Sequence, residues 1–166
     1  GTTGSRAGEL KEPNGLATNS KGNIYVADNG NHRVEKFTGD GRFIAIASAH
    51  SLTASPFKAG YVSAKHGVLG LVKTLALEGA DDGITATAVC PCYVRTPLVE
   101  AQIADQAHAH GLPEERVLAE VILERQAVKR LLEPSEVADV VAFLAGAGGR
   151  AFTGSAVTMD LGWTAR

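Results

Sequence analysis

The sequence predicts an α/β protein in which a partial, doubly wound parallel half-sheet is joined to an N-terminal antiparallel β-meander, forming one mixed sheet with flanking helices. Short β-prone segments separated by turn sequences fill the first 43 residues, whereas apolar strands alternate with long helical segments after residue 42. The composition changes at the same point, because residues 1–43 hold 8 of the 19 glycines but only three alanines. We therefore expect two units, residues 1–43 and 44–166.

The meander is predicted from three short β-prone segments. They cover residues 15–19, 23–28 and 33–37, and the turn sequences that punctuate them are SKGN, NGNH and TGDG. Short strands with tight turns between them pair most simply as antiparallel neighbours.

The second unit is predicted from alternating strands and helices. We expect strands at 42–48, 84–90 and 156–160, and helices at 59–79, 98–109, 114–131 and 134–145. Strands alternating with helices of this length indicate parallel βαβ units. Helices 59–79 and 134–145 should pack on the parallel strands, and strand 33–37 should cover the edge of strand 42–48 that would otherwise be exposed.

Charge and composition exclude several classes of function. The 16 basic and 18 acidic residues give a net charge of -2 with no basic cluster, which argues against nucleic-acid binding. No segment reaches the roughly 18 apolar residues of a membrane span, and no signal pattern opens the chain, so we expect a cytoplasmic protein. Cys90 and Cys92 are the only cysteines and should be free thiols, and no metal site is predicted.

The candidate chemistry begins with Tyr61 and Lys65, four residues apart in the predicted helix 59–79. Residues at this spacing project from one helix face, and an ammonium held there favours the phenolate that proton transfer requires. Ser48 ends the preceding strand, at the edge where open α/β sheets place their ligands. On its own, a tyrosine–lysine pair is more often a surface contact, so the serine is the feature that points to a site.

These three residues, with the later sequence PCYVRTPL, resemble the catalytic half of the short-chain dehydrogenase/reductase family. The resemblance covers about residues 41–166, is greatest to the 3-hydroxybutyrate dehydrogenases of that family, and implies the second half of a Rossmann fold. It implies that Tyr61 exchanges a proton with the substrate oxygen while Ser48 binds that oxygen. It also implies that Lys65 supports the tyrosine and contacts the ribose of NAD.

The same resemblance implies two sets of binding residues. The residues expected around the carboxylate of a small hydroxy acid are His50, Lys58, Tyr93 and Trp163. The residues expected to contact NAD are Tyr61, Lys65, Pro91 and Thr96. Cys92 and Leu161 stand where the family usually has glycine, and we expect either strained backbone or an obstructed nicotinamide pocket there.

The family's glycine-rich phosphate-binding turn is not found in the sequence. TTGSRAGEL has no preceding strand, and GAGGR at 146–150 follows a predicted helix, so it should be a C-terminal cap and turn. Two interpretations stay open. The favoured one is a chain without autonomous activity, and the other is an active NAD-dependent enzyme whose cofactor site is completed by the N-terminal segment or by another subunit.

The first unit resembles one NHL repeat, a blade of a β-propeller, through the blocks P-x-G, GNIYVAD and NHRV. This resemblance implies a chimeric chain. The segment GDGRFIAIAS could end such a blade or begin the dehydrogenase sheet. A homo-oligomer is expected because helices like 59–79 often pack across subunits in the dehydrogenase family, and because a half-fold leaves apolar surface to be covered.

Overall fold

A computed structural model describes residues 13–18, 24–28, 33–37 and 41–165. Within these residues, six strands form two three-stranded sheets. The strands are β1 (Pro13–Thr18), β2 (Ile24–Asp28), β3 (Arg33–Phe37), β4 (Arg42–Ile46), β5 (Thr85–Pro91) and β6 (Ala156–Met159). The α-helices are α1 (Ala59–Glu78), α2 (Pro97–His110), α3 (Glu114–Val117) and α4 (Pro134–Ala145). The α/β class and the parallel half-sheet with flanking helices are confirmed.

The first sheet is the predicted antiparallel meander, in the order β1-β2-β3. Its strands pair in register, with Tyr25 opposite both Ala17 and Lys36, and a register shift lies between Pro13 and Gly15. The strand bounds match the sequence prediction to within two residues.

The second sheet is parallel, in the order β4-β5-β6. Helix α1 connects β4 to β5, and the segment containing α2, α3 and α4 connects β5 to β6. Strand β5 is buried along its whole length after Thr85, as expected for the central strand of a sheet covered on both faces. Helices α1 and α4 both pack on β4 and β5, as predicted.

The prediction of one mixed sheet is wrong. Among the described strands, β3 pairs only with β2, and β4 pairs only with β5, so the two sheets share no strand. Strand β4 therefore belongs to the parallel sheet alone, and β3 does not cover its edge. Arg42 to Ile46 of β4 align without a shift against Thr85 to Val89 of β5. One further hydrogen bond, from the Ala47 N–H to Val89 O, extends this parallel ladder.

The predicted helix 114–131 is also wrong over most of its length. Helix α3 ends at Val117, a π-helical turn covers Leu118–Ile122, and residues 123–131 are irregular. The backbone groups of this segment bind elsewhere: the amides of Ala127 and Val128 donate to Leu161 O, and Lys129 Nζ donates to two carbonyls of the preceding turn. In a continuous helix, these backbone groups would instead form hydrogen bonds within the helix.

Local signals explain the helix ends that place the site. Thr96 caps α2 by accepting the Val99 N–H at 3.3 Å, and Pro97 follows at the first position. Gly111, with φ +61°, caps the C-terminus of α2. GAGGR lies where predicted, with Gly146 as the cap of α4. A Cβ on Gly149 would lie 1.9 Å from Leu144 O, so only glycine fits there.

Two apolar clusters support the parallel unit. One joins α1 to β5 and consists of Ala47, Leu69, Val72, Leu75, Ala76, Ala86, Ala88 and Cys90. The other joins α2, α3 and the irregular segment and consists of Ile103, Ala107, Val117, Ile122, Leu123 and Leu131. In the part of the chain that is described, no helix combines the length and apolar character needed to cross a membrane.

Candidate active site

A cavity of about 570 Å³ lies at the carboxyl ends of β4 and β5. Its volume is typical of a small-molecule site, and its position is the usual one for a ligand in an open α/β sheet. The structure brings all nine predicted site residues to its wall: Ser48, His50, Lys58, Tyr61, Lys65, Pro91, Tyr93, Thr96 and Trp163.

Ser48 lies just beyond β4 and begins the short 3-10 turn Ala49–Ser51. Its side chain is buried and accepts the N–H of His50 at 3.1 Å, so the turn fixes the hydroxyl oxygen. Because this bond uses an acceptor lone pair, the hydroxyl proton stays available for a substrate oxygen.

Tyr61 and Lys65 occupy the first turns of α1, one turn apart on the face that meets the cavity. The Tyr61 side chain is half-exposed, and Lys65 Nζ lies 5.7 Å from the centre of its ring. Lys65 Nζ also donates to Ile46 O at 3.1 Å, which ties the helix to the end of β4. Ser48 and Ile46 near the end of β4, and Tyr61 and Lys65 on α1, are thus held by contacts within the parallel unit.

Aromatic rings form a second wall of the cavity. Trp163 stacks on Tyr93 with ring centres 5.6 Å apart and an interplanar angle of 20°. His50 meets Trp163 edge-on at 5.1 Å and Tyr61 edge-on at 5.6 Å. Lys58 Nζ donates to the Tyr93 hydroxyl at 3.3 Å, so a cation lies beside the rings.

The surroundings of His50 favour its neutral form. Burial lowers its pKa from the ordinary value, and the positive charges of Lys58 and Arg125 lower it further. Its Nε2 lies 3.0 Å from Ser55 Oγ, which orients the ring. A neutral imidazole beside a lysine can bind a carboxylate or carbonyl oxygen by hydrogen bonding without adding a second charge.

Cys92 and Leu161, at the positions where glycine was expected, differ in backbone strain. Among the described residues other than glycine, positive φ occurs at Leu161, with +53°, and at Phe57, with +63°, but not at Cys92. The expectation of strain is therefore wrong for Cys92, whose amide makes an ordinary bond to Met159 O at 3.0 Å. Burial raises the pKa of its thiol to about 11, so the group is uncharged at neutral pH.

Several wall residues were missed by the sequence prediction. Helix α2 contributes Leu98, Val99 and Gln102, and the loop before α1 contributes Phe57. Helical spacing from the cap at Thr96 could have found the α2 residues, because positions three and four apart share a face. Nothing in the local sequence marks Phe57.

Among the described residues, no group of three His, Cys, Asp or Glu side chains could hold a metal.

The sequence model of a family described as enoyl-(acyl carrier protein) reductase matches residues 14–164. The chain belongs to the short-chain dehydrogenase/reductase family. The matched range includes the meander strands as well as the parallel unit.

Curated relatives agree with this family. The chain is 53% identical over 131 residues to a D-beta-hydroxybutyrate dehydrogenase of Rhizobium meliloti, covering 79% of this chain and 51% of the relative. It is 42% identical over 126 residues to the enzyme of the same name from Cupriavidus necator, covering 76% and 49%. The chain thus spans about half the length of the curated relatives that it matches.

Solved structures have the same fold. A short chain dehydrogenase family protein from Francisella tularensis aligns with a TM-score of 0.74 at 26% identity, covering 78% of this chain and 53% of that one. An actinorhodin polyketide ketoreductase with NADPH aligns at 0.67 and 36% identity, covering 74% and 47%. A 4-hydroxyisoleucine dehydrogenase complexed with NADH aligns at 0.66 and 30% identity, covering 76% and 48%.

Proposed function

We propose that the cavity is the substrate-binding and proton-transfer end of an NAD-dependent oxidoreductase that interconverts a small 3-hydroxy acid and its 3-keto acid. One observation carries this proposal: Ser48, Tyr61 and Lys65 share a single cavity with Lys58, His50 and Trp163. A proton-transfer group and a carboxylate-binding group are therefore close enough for one small substrate. The similarity to D-beta-hydroxybutyrate dehydrogenases supports the same substrate class.

Tyr61 is the proposed proton donor for ketone reduction and proton acceptor for alcohol oxidation. Lys65, on the same helix face with Nζ 5.7 Å from the centre of the Tyr61 ring, is the proposed support of the tyrosine. The Ser48 hydroxyl, fixed by the His50 amide, donates to the substrate oxygen and holds it against the tyrosine. Each role uses a side chain whose position is set by the fold before a substrate binds.

The carboxylate of the substrate is proposed to bind between Lys58 and the ring wall. Lys58 supplies the positive charge, and a charge-assisted hydrogen bond is the strong kind. Trp163 contributes its ring to the wall beside this charge, since it stacks on Tyr93, whose hydroxyl accepts from Lys58 Nζ. In a 3-hydroxy acid, one methylene separates the carboxyl carbon from the reacting carbon, so both ends fit neighbouring groups.

A nicotinamide dinucleotide, when bound, supplies the hydride chemistry that amino-acid side chains lack. The residues proposed to hold its nicotinamide and ribose are Tyr61, Lys65, Pro91 and Thr96, all on the cavity wall. Their donor set suits that role, since the Lys65 ammonium and the Thr96 hydroxyl can donate to ribose or carboxamide oxygens. The relatives solved with NADPH and NADH support a cofactor of this class.

The pyrophosphate has no cradle of the expected kind in the described part of the parallel unit. The loops that follow β4 and β5, residues 47–58 and 92–96, contain no glycine. We therefore favour a chain that does not turn over alone, with completion of the cofactor site by the N-terminal segment or another subunit as the alternative. A chimeric origin of residues 1–43 and 44–166 stays a proposal: the separate sheets favour it, and a family match that begins at residue 14 counts against it.

Two measurements test the proposed function. Trp163 is the only tryptophan, so its fluorescence reports binding of D-3-hydroxybutyrate without any cofactor. Binding should be saturable and should weaken in Lys58→Met, while Lys73→Met on the exposed face of α1 serves as the matched control. A signal that does not saturate, or an equal loss in both variants, would refute the substrate assignment.

Turnover is measured separately, as reduction of NAD by D-3-hydroxybutyrate. The favoured interpretation expects no NADH binding and no turnover by the chain alone. Saturable NADH binding with a rate abolished by Tyr61→Phe would establish the alternative, an active enzyme with a completed cofactor site. The rate of Lys65→Met is then compared with the rate of Lys73→Met, which also removes a positive charge from α1. The comparison isolates the role of Lys65 from the loss of a charge on the helix.

A further inference from the structure

The turn after β6 is organised by one buried carboxylate. Asp160 Oδ1 accepts the N–H of Gly162 at 3.1 Å, and Oδ2 accepts the N–H of Thr164 at 2.8 Å together with the Thr164 hydroxyl. The main-chain oxygen of Asp160 accepts the N–H of Trp163 at 3.0 Å. Asp160 therefore binds the residue before Trp163, Trp163 itself and the residue after it.

The backbone of this turn is unusual and tightly packed. Leu161 and Gly162 have φ of +53° and +84°, so two consecutive residues are left-handed. Leu161 O accepts the N–H of Ala127 at 2.9 Å, which fastens the turn to the irregular segment. A Cβ on Gly162 would lie 2.7 Å from the Cβ of Ala127, so the approach requires glycine.

The charge state of Asp160 suits this role. Burial by itself raises the pKa of the carboxyl, but hydrogen bonds from Thr164 and Gly162 outweigh it and lower the pKa below the ordinary value. The group is thus ionised at neutral pH. An ionised carboxylate accepts these bonds more strongly than a neutral amide would.

Three costly features meet at Trp163, next to the cavity: a buried charge, left-handed backbone at a leucine, and an indole N–H without a partner among the described residues. Such features tend to be retained where they serve function. We propose that Asp160 is a positioning residue whose carboxylate fixes Trp163, so that its ring packs on Tyr93 and His50 and holds them beside Lys58 at the proposed carboxylate site. This inference rests on the proposed function.

The test compares Asp160→Asn with Asp139→Asn, a matched change at an exposed position of α4. The first measurement is acrylamide quenching of Trp163 in the absence of ligand. Quenching should increase in Asp160→Asn and stay unchanged in the control. Thr164→Val removes only the hydroxyl bond and should give a smaller increase, which keeps the test usable if Asp160→Asn does not fold.

The second measurement separates positioning from a general loss of structure. Asp160→Asn should weaken binding of D-3-hydroxybutyrate about tenfold, because displacement of Trp163 removes the ring that packs on Tyr93, whose hydroxyl accepts from Lys58 at the proposed carboxylate site. Binding of butane-1,3-diol, which keeps the hydroxyl but lacks the carboxylate, should be unchanged. A purely structural role would weaken both ligands equally, and that result would overturn the proposal.

The two proposals fail in different ways. Unchanged quenching of Trp163 in both Asp160→Asn and Thr164→Val overturns the positioning role whatever the ligand results. Absence of D-3-hydroxybutyrate binding by the unaltered chain refutes the proposed function, and with it the role of the Trp163 ring at a substrate site. Increased quenching together with selective loss of acid binding supports both.

Discussion

Leu161 offers a direct test of the strained turn that holds Trp163. Its φ of +53° is a region in which a side chain with a Cβ is disfavoured and glycine is not. We predict that Leu161→Gly is more stable than Leu161→Ala. This order is the reverse of the usual one, because alanine normally exceeds glycine in stability through its smaller unfolded-state entropy.

The magnitude follows from two opposing terms. Left-handed backbone costs an L-residue about 1–2 kcal/mol, and both leucine and alanine bear this cost. Glycine avoids it but loses about 0.4–1 kcal/mol more conformational freedom on folding. Both variants lose nearly the same side-chain packing, so the difference isolates the backbone. The net advantage of glycine over alanine should be about 0.8 kcal/mol, or about 2–3 °C in Tm for a chain of this size.

Thermal and urea unfolding of the two variants provide the assay, with circular dichroism as the probe. Gly67 on α1 is the control site, because a Cβ there meets nothing within 4 Å and its backbone φ is not positive. Alanine should exceed glycine in stability at residue 67 and fall below it at residue 161. If alanine is the more stable residue at both positions, the turn is not strained and the reasoning fails.

Three further predictions concern packing and ionisation. Gly149→Ala should lower the free energy of unfolding by about 3 kcal/mol or more, because the new Cβ would lie 1.9 Å from a main-chain oxygen, and calorimetry showing a change below 1 °C in Tm would contradict this. The hydrogen bond from Arg130 lowers the pKa of Glu136 to about 2, so this carboxylate stabilises the fold above its ordinary pKa and loses that contribution as the pH falls through about 2. An NMR titration of Arg130→Met should return the midpoint towards 4.5, and an unshifted midpoint would exclude the arginine as the cause. At pH 8 the folded chain should present on the order of 100-fold less Cys92 thiolate than the unfolded chain, so alkylation followed by mass spectrometry should be correspondingly slow.

Elements with strong local signals could be predicted from sequence. The bounds predicted for helix α1 and for the strands of the parallel sheet agree with the structure to within about two residues, because apolar periodicity is local. The segment 114–131 could not be predicted in this way. Its helical pattern ends early because its amides and side chains bind Leu161 O and nearby carbonyls, and these partners are set by tertiary structure. The prediction that β3 pairs with β4 is wrong for the same reason. The sequence of an edge strand does not show which strand it pairs with.

The residues of the candidate site also divide into those found from a local sequence pattern and those whose contacts depend on tertiary structure. Ser48, Tyr61 and Lys65 could be found because their spacing along one strand and one helix is a local pattern. Trp163 contacts His50, which lies more than a hundred residues earlier in the chain, and it also contacts Tyr93. These contacts could be inferred only from the resemblance to the family. Asp160 was missed because its role depends on the geometry of the turn, and the sequence shows only an aspartate before a leucine and a glycine.

The geometry of the site does not depend on the half of the family fold that binds the dinucleotide. Ser48 is held by its own turn, Lys65 by the carbonyl of Ile46, and Trp163 by Asp160, and all of these residues lie within 46–164. The α1–β5 cluster beneath them is likewise internal to the parallel unit. The proposed recognition of the hydroxy acid can therefore be tested separately from the proposed binding of the cofactor. For that reason the substrate assignment should be tested by binding without cofactor, since absence of turnover alone does not test the proposed carboxylate site of Lys58, His50 and Trp163.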